Sequence, residues 1–375
     1  MNFTFDGMFN GEGTERTTVY DDAGMALALG AEQQLGRAGA GGGAFAIEGH
    51  PEYCIKLFHA ADLEDEEKRD RILVRLRAAL ERRECQRNPR LAWPLGAVKD
   101  RGGRTIGYAM RRIPPEFKPF RALFGGAAAV SRCFPGWGRK ELARAAKAFV
   151  DTVRWLDGLG IRPADFNPSN FMAAPDGRIM LLDCDSFEVR GRDGTVHTSD
   201  VFYPDCAAPE ILREPGMAGE ARTKEQTRFS AALVAYQLLM EGGHPYAFAG
   251  EAADGSTTGS PADNIRAGTC PLGADASCRM APFWYRLWSW LTGPLKADFV
   301  RTFREGNRDS AARATLGELS AAIQQFQREC ARTPERNELA PATKKTPGAP
   351  GGAGGGWNGG SGFGGGYRTA AAERA

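Results

Sequence analysis

Residues 161–187 place oxygen-bearing side chains at spacings that suit phosphoryl transfer. Asp165 and Asn170 stand five positions apart in Asp-Phe-Asn-Pro-Ser-Asn, where Pro168 keeps the segment out of helix, so the two side chains can converge on one point. A turn at Ala-Pro-Asp-Gly (174–177) leads into the apolar run 179–182, a short buried strand by pattern, and Asp183 stands at its end. One carboxylate to orient an accepting hydroxyl, with an asparagine and a second carboxylate to hold Mg²⁺ on phosphates, is the division of labour that such a transfer needs. Asp185, two positions on, could share the ion. An Asx-rich turn followed by a capping carboxylate would give the same letters, so the rest of the chain has to decide.

A phosphate site also needs cations and backbone donors. Gly36, Gly39 and Gly41 fall in a glycine-rich turn between two strand-like segments, where N–H groups could approach phosphate oxygens without a side chain intervening. A ligand-free hairpin reads the same way. Tyr53-Cys-Ile-Lys56-Leu-Phe puts one lysine into an apolar strand soon afterwards, and a buried ammonium calls for an anionic partner. Residues 63–83 form a charged helix with Leu73, Leu76 and Leu80 on one stripe. Extended backwards, the stripe reaches Glu66, which could pair Lys56; Glu67 and Asp70 are its neighbours, and a solvated face is the plainer reading for each.

These residues need a sheet and a set of helices to hold them. Strand patterns over 26–35, 44–47 and 53–58, followed by strand, Gly turn and strand over 91–94 and 98–110, predict a sheet of about five strands, with residues 1–20 left unassigned. Beyond Pro114 and Pro115 the period becomes helical: Leu142, Ala146, Phe149, Val150, Val153 and Leu156 recur at helix spacing. The segment 229–241 is apolar all round, as a helix in the centre of a core would be. A tryptophan-rich helix at 282–291, with Trp284, Trp288 and Trp290 as core, and a last helix at 316–329 follow. After Thr333 the composition turns to Pro, Lys and then Gly, which cannot bury enough apolar surface to offset chain entropy and predicts a disordered tail.

Composition narrows the function classes. With 48 Lys and Arg against 46 Asp and Glu the net charge is +2, which gives no reason to expect nucleic acid or an anionic membrane as partner. The eight cysteines are scattered without zinc-ligand spacing, and neither a leader nor a long apolar run is evident, so a cytoplasmic protein with reduced thiols is expected.

In this order the parts resemble the eukaryotic-type (Hanks-like) protein kinase family, over roughly residues 26–330. The glycines match its Gly-rich loop, Lys56 its strand lysine, Asp165 and Asn170 its catalytic loop, Asp183 its D-F-G aspartate, and Ala208-Pro209-Glu210 its A-P-E motif, with Arg313 as the implied partner of Glu210. Ala-Trp-Pro, Gly-Tyr-Ala-Met and Asp-Cys-Asp-Ser-Phe are similar to a divergent bacterial branch whose members often neighbour von Willebrand A-type domain proteins and metal-dependent protein phosphatases. The resemblance implies an α+β, bilobal fold: an extension at 1–25, a small antiparallel sheet plus one helix at 26–113, a larger helical lobe at 114–332 and a tail at 333–375. It implies ATP and Mg²⁺ as cofactors and a protein substrate. Lys56 would hold the α- and β-phosphates, Asn170 with Asp183 and Asp185 the ion, and the backbone near Met110 and Arg111 the adenine.

The departures bear on regulation. Pro163-Ala164 replaces the His-Arg before the catalytic aspartate, so no arginine there can read a phosphorylated activation segment; Asn167 replaces a lysine, and Thr227 stands where the buried-helix aspartate would be. An active serine/threonine kinase is the leading expectation, because all four chemical groups are present. A pseudokinase that binds nucleotide as a scaffold is the alternative, and a small-molecule kinase a third.

Overall fold

The computed structural model describes residues 17–21, 24, 26–35, 42–248, 259–273, 276 and 278–340. Gly36, Gly39 and Gly41 therefore lie outside the described residues, as do residues 341–375 of the expected tail. The first part is a closed barrel of six antiparallel strands, β1 (Thr17–Tyr20), β2 (Ala26–Gln34), β3 (Gly43–Ile47), β4 (His50–Leu57), β5 (Gly96–Lys99) and β6 (Thr105–Arg111), in the order β1-β2-β3-β4-β6-β5. Its interior is a cluster of Val19, Leu29, Phe45, Ile55, Val98, Ile106 and Tyr108 with their neighbours.

The sequence pattern missed β1. Thr17–Tyr20 carries one inward apolar residue, Val19, and becomes a strand by pairing with β2 and closing on Lys99 through Tyr20. Residues 91–94, expected as a strand, are not one: Pro94 has no N–H to give to a ladder, and Leu91 makes a single bridge to Leu181 in the second part. Trp93 is buried beside them, its Nε1 donating to the Ala79 carbonyl at 2.8 Å.

The longest helix of this part, α1 (Glu66–Leu80), packs on β5 and is capped by Asp65, whose side chain accepts from the Lys68 N–H at 3.0 Å. The second part is built on α2 (Arg139–Gly158), α3 (Lys224–Leu239) and α4 (Leu316–Arg332), with α2 packed between the other two. From Gln226 onward every residue of α3 except Arg228 is buried, as an all-round apolar helix requires. Trp284 and Trp288 pack half-buried on this core, and Trp290 lies under the guanidiniums of Arg139 and Arg286, at 5.7 and 5.3 Å from its ring centre. The architecture is an α+β fold whose sheet is closed.

Residues 334–340, expected within the tail, pack against the helical part. Pro334–Asn337 forms a further helical turn, Asn337 accepts from the Lys140 N–H at 2.8 Å, and the buried Ala340 donates its N–H to Glu241 at 3.0 Å. These two bonds, a third from Cys330 Sγ to the Arg336 carbonyl at 3.5 Å, and the packing of Leu339 and Ala340 hold this segment, which composition alone could not reveal.

Candidate functional site

Asp165 and Asn170 are positioned by their own neighbours in sequence. Beyond β7 (Lys118–Pro119), β8 (Ile161–Arg162) delivers the chain to Asp165, and a single 3-10 turn, Pro168–Asn170, carries it into β9 (Phe171–Ala173). Asp165 is buried at 1% exposure, accepts from the Asn167 N–H at 3.1 Å and takes the Asn170 amide on its second oxygen at 3.0 Å. Burial, and after it the charge of Asp183, pushes the Asp165 carboxyl up to about 7; the bonds from Asn167 and Asn170 and the charge of Lys56 restrain the rise. Because the Asn170 amide faces Asp165, its carbonyl oxygen is the end left to act as a metal acceptor.

A hairpin brings the third group in. β9 pairs with β10 (Ile179–Leu181), and the Leu182 N–H closes the pair on the Asn170 carbonyl at 2.8 Å, so Asp183 emerges opposite the loop. Asp183 is held in the left-handed region, φ 54° and ψ 35°, which a short polar side chain tolerates better than a bulky one. Such backbone strain is maintained only where the surroundings over-determine it.

Lys56 enters from β4. The strand is exposed at its start and buried on both faces at its end, and Gly107 on the neighbouring β6 lets the Lys56 backbone come close: a Cβ there would lie 2.1 Å from the Lys56 carbonyl oxygen. The ammonium bonds Oδ1 of Asp183 and both oxygens of Asp185, the latter at 2.8 and 3.0 Å. Burial alone would lower its proton affinity, but the two carboxylates outweigh burial and hold Lys56 charged above its ordinary range. Burial likewise works against ionised Asp185, and Lys56 overrides it, keeping that carboxyl below its usual range.

Glu66 does not pair with Lys56. It is a first-turn residue of α1, its side chain 84% exposed and 3.7 Å from Arg69. The backward extrapolation failed because the helix begins there, where acids favour the N-terminal dipole, while the buried face runs through Leu76, Ala78 and Ala79. From that helix the site receives a cation instead: Arg75 donates Nε to the Asp185 carbonyl at 2.6 Å and Nη1 to the Thr198 carbonyl at 2.9 Å. Tyr108 of β6 adds its hydroxyl to Asp185 Oδ1 at 2.5 Å. Neither Arg75 nor Tyr108 stood out in the sequence, since one lay among solvated helix charges and the other in a strand.

Met110 and Arg111 end β6, paired with Cys54 and Tyr53 of β4. The Met110 side chain belongs to the barrel core and the Arg111 side chain donates to the Asn88 carbonyl at 3.2 Å.

Downstream, the segment after Asp185 is held by buried charged side chains. Glu188, fully buried on β11 (Glu188–Arg190), accepts the Arg222 N–H at 2.7 Å, and the Arg222 guanidinium reaches the carbonyls of Met217, Ala218, Glu220 and Val201. Arg162 ties the same stretch from β8, through the Arg222 carbonyl at 2.9 Å. Glu210 meets Arg313 at 2.6 Å, as the sequence resemblance implies, and Thr227 turns back on the Thr223 carbonyl at 3.1 Å.

The donor set would suit a divalent ion: Asp183 and Asp185 flank the Lys56 ammonium, and the Asn170 side-chain oxygen is left open. Among the described residues, however, no three His, Cys, Asp or Glu converge as a ready metal cage, which leaves phosphate oxygens to complete any coordination. Nor is any helix among them long and apolar enough to cross a membrane.

No protein-family model matches the chain. Two curated relatives, both named Protein kinase YegI, come from Escherichia coli strain K12 and Escherichia coli O157:H7; they are 26% identical over 229 residues and 25% identical over 232 residues. The aligned stretches make up 61% and 62% of this chain but 34% of each relative, so the chain spans about a third of their length. The ROP18 kinase domain, solved in complex with AMP-PNP and sucrose, superposes with a TM-score of 0.55 at 18% identity, covering 88% of this chain and 90% of that one, a likeness of fold. With that fold and with sequence relatives named as protein kinases, the chain is protein-kinase-like.

Proposed function

We propose that the chain is an ATP- and Mg²⁺-dependent protein kinase that transfers the γ-phosphate to Ser or Thr hydroxyls of a protein partner. The observation that carries the reading is the convergence of Asp165, Asn170, Asp183 and Lys56 from one loop and two strand ends, with Asp165 buried and poised near neutrality. A base whose proton affinity lies near the working pH can take a hydrogen bond from the attacking hydroxyl and accept its proton as the bond to phosphorus forms. Lys56 supplies the fixed positive charge for the phosphates. Asn170 and Asp183 would hold the ion, which when bound neutralises phosphate charge. By the sequence resemblance, Gly36, Gly39 and Gly41, which lie outside the described residues, belong to the loop over the phosphates, and the backbone at Met110 and Arg111 would face the adenine.

With the segment after Asp185 pinned by Glu188, Arg222 and Arg75, the enzyme has no need of activation by phosphorylation of that segment. Candidate substrates are a von Willebrand A-type domain protein and a metal-dependent protein phosphatase, the neighbours that the sequence resemblance implies. The test incubates the chain with labelled ATP and Mg²⁺, with and without those proteins, and maps phosphate by mass spectrometry. Label on Ser or Thr, absent with Asp165→Asn, supports the reading. Nucleotide binding with no transfer above the Asp165→Asn background would replace it with the nucleotide-binding scaffold.

A further inference from the structure

We infer that Asp185 is the positioning partner of Lys56, locked by Tyr108 and Arg75, and that it is not a metal ligand. This rests on the phosphoryl-transfer reading above and assigns a distinct role to each of two acids that the sequence could not tell apart.

The two carboxylates differ in what they have already committed. Both oxygens of Asp185 are engaged, Oδ1 by Lys56 at 2.8 Å and by the Tyr108 hydroxyl at 2.5 Å, Oδ2 by Lys56 at 3.0 Å. Its backbone is fixed as well, because Arg75 donates to its carbonyl while reaching Thr198. Asp183, by contrast, uses one oxygen on Lys56 among the described residues, and its side chain is 26% exposed against 12% for Asp185. An ion with strict octahedral demands takes the acid that can turn toward it. Recruiting Asp185 would strip Lys56 and Tyr108 of a charge-assisted partner inside a desolvated site, where unpaired polar groups are costly.

Lys56 thus has one partner that can leave and one that stays. When Asp183 turns to an ion, Asp185 still aims the ammonium. A kinase helix usually supplies a glutamate for this purpose. Here α1 carries Arg75 toward the cluster and Glu66 away from it, so the acid has moved to the strand end and the helix is anchored by neutral carbonyls instead.

Three measurements on the full chain test this. Binding of a fluorescent ATP analogue is titrated with Mg²⁺: Asp183→Asn should move the Mg²⁺ midpoint by about tenfold or more, while Asp185→Asn and Tyr108→Phe should move it by less than about threefold. Transfer should nevertheless fall about tenfold or more in Asp185→Asn, mostly in kcat. In nucleotide-free protein, trinitrobenzenesulfonate labelling of Lys56, read by mass spectrometry, should speed up several-fold in Asp185→Asn and to a smaller degree in Tyr108→Phe, and stay unchanged in Glu66→Gln. A Mg²⁺ midpoint in Asp185→Asn displaced as far as in Asp183→Asn, or unaltered Lys56 labelling, overturns the assignment. Should Asp185→Asn fail to fold, Tyr108→Phe carries both readouts. The labelling needs neither nucleotide nor transfer, so a wild type that does no chemistry would sink the kinase reading and leave this one to be judged separately.

Discussion

The two halves of the candidate site are built in opposite ways. Asp165 and Asn170 are five residues apart and hold each other across one turn, with Asn167 between them. Lys56, Asp183, Asp185, Tyr108 and Arg75 come from strands, a strand end and a helix separated by as many as 129 positions, and their charges balance only once every element is in place. The first half is local chemistry on a stiff loop; the second is an electrostatic assembly. Damage to the loop should therefore be felt in the reaction, and damage to the assembly in stability as well.

The largest effect is expected from breaking the assembly. Lys56→Met leaves Asp183 and Asp185 facing each other with no cation between them, and removing one partner of a buried ion pair typically costs about 3–5 kcal/mol. Chemical denaturation of nucleotide-free protein should show that loss, and the comparison fails if Lys56→Met is as stable as wild type. The destabilisation should shrink in acid, where Asp185, held below the usual carboxylate range by Lys56 in the wild type, takes up its proton.

Asp165→Asn tests the loop. Transfer should fall about a hundredfold or more while nucleotide affinity stays within a few-fold, because the carboxylate acts mainly in the transition state. Its pH dependence has a fixed sign. The base must be ionised, so kcat/KM in wild type should rise with pH through about 7, and the residual rate of Asp165→Asn should lack that rise. Stability runs the other way: a carboxyl raised from 3.8 to about 7 by folding stabilises the native state fully below 3.8, and that contribution is lost as pH climbs through 7. The thermal midpoint of wild type relative to Asp165→Asn should decline between pH 4 and 8. A flat difference would mean that Asp165 is not held near neutrality.

A smaller effect separates the docked segment from the tail. Ending the chain at residue 333 removes the bonds from Asn337 and Ala340 and leaves buried Glu241 without its N–H donor, at a cost of about 1–3 kcal/mol; ending it at 340 keeps them. Equal thermal midpoints for the two truncations would contradict the docking.

The smallest effect is expected at Glu66. Glu66→Gln removes an exposed charge next to Arg69 and should change stability by less than about 0.5 kcal/mol and transfer hardly at all. A large loss of transfer would put the acidic partner of Lys56 back on α1.

What the sequence determined by itself was whatever depends on near neighbours and on period. The spacing of Asp165 and Asn170, the turn before Asp183, the all-round apolar α3 and the lone lysine in β4 are short-range signals, and a proline, a glycine turn or an apolar repeat acts on the chain wherever it lies. Tertiary structure decided the rest. Thr17–Tyr20 is a strand only because β2 and Lys99 receive it, and Leu91 is a bridge instead of a strand because Leu181 waits in the other half of the molecule. The segment 334–340 docks because Lys140 and Glu241 offer it partners. The acid beside Lys56 had to wait for the fold for the same reason: Glu66, Asp183 and Asp185 are equivalent letters, and only burial, together with the arrival of Tyr108 and Arg75, makes the charge of one of them matter more than that of another. Coulomb energy depends on distance in space and on the local dielectric, and neither is written along the chain.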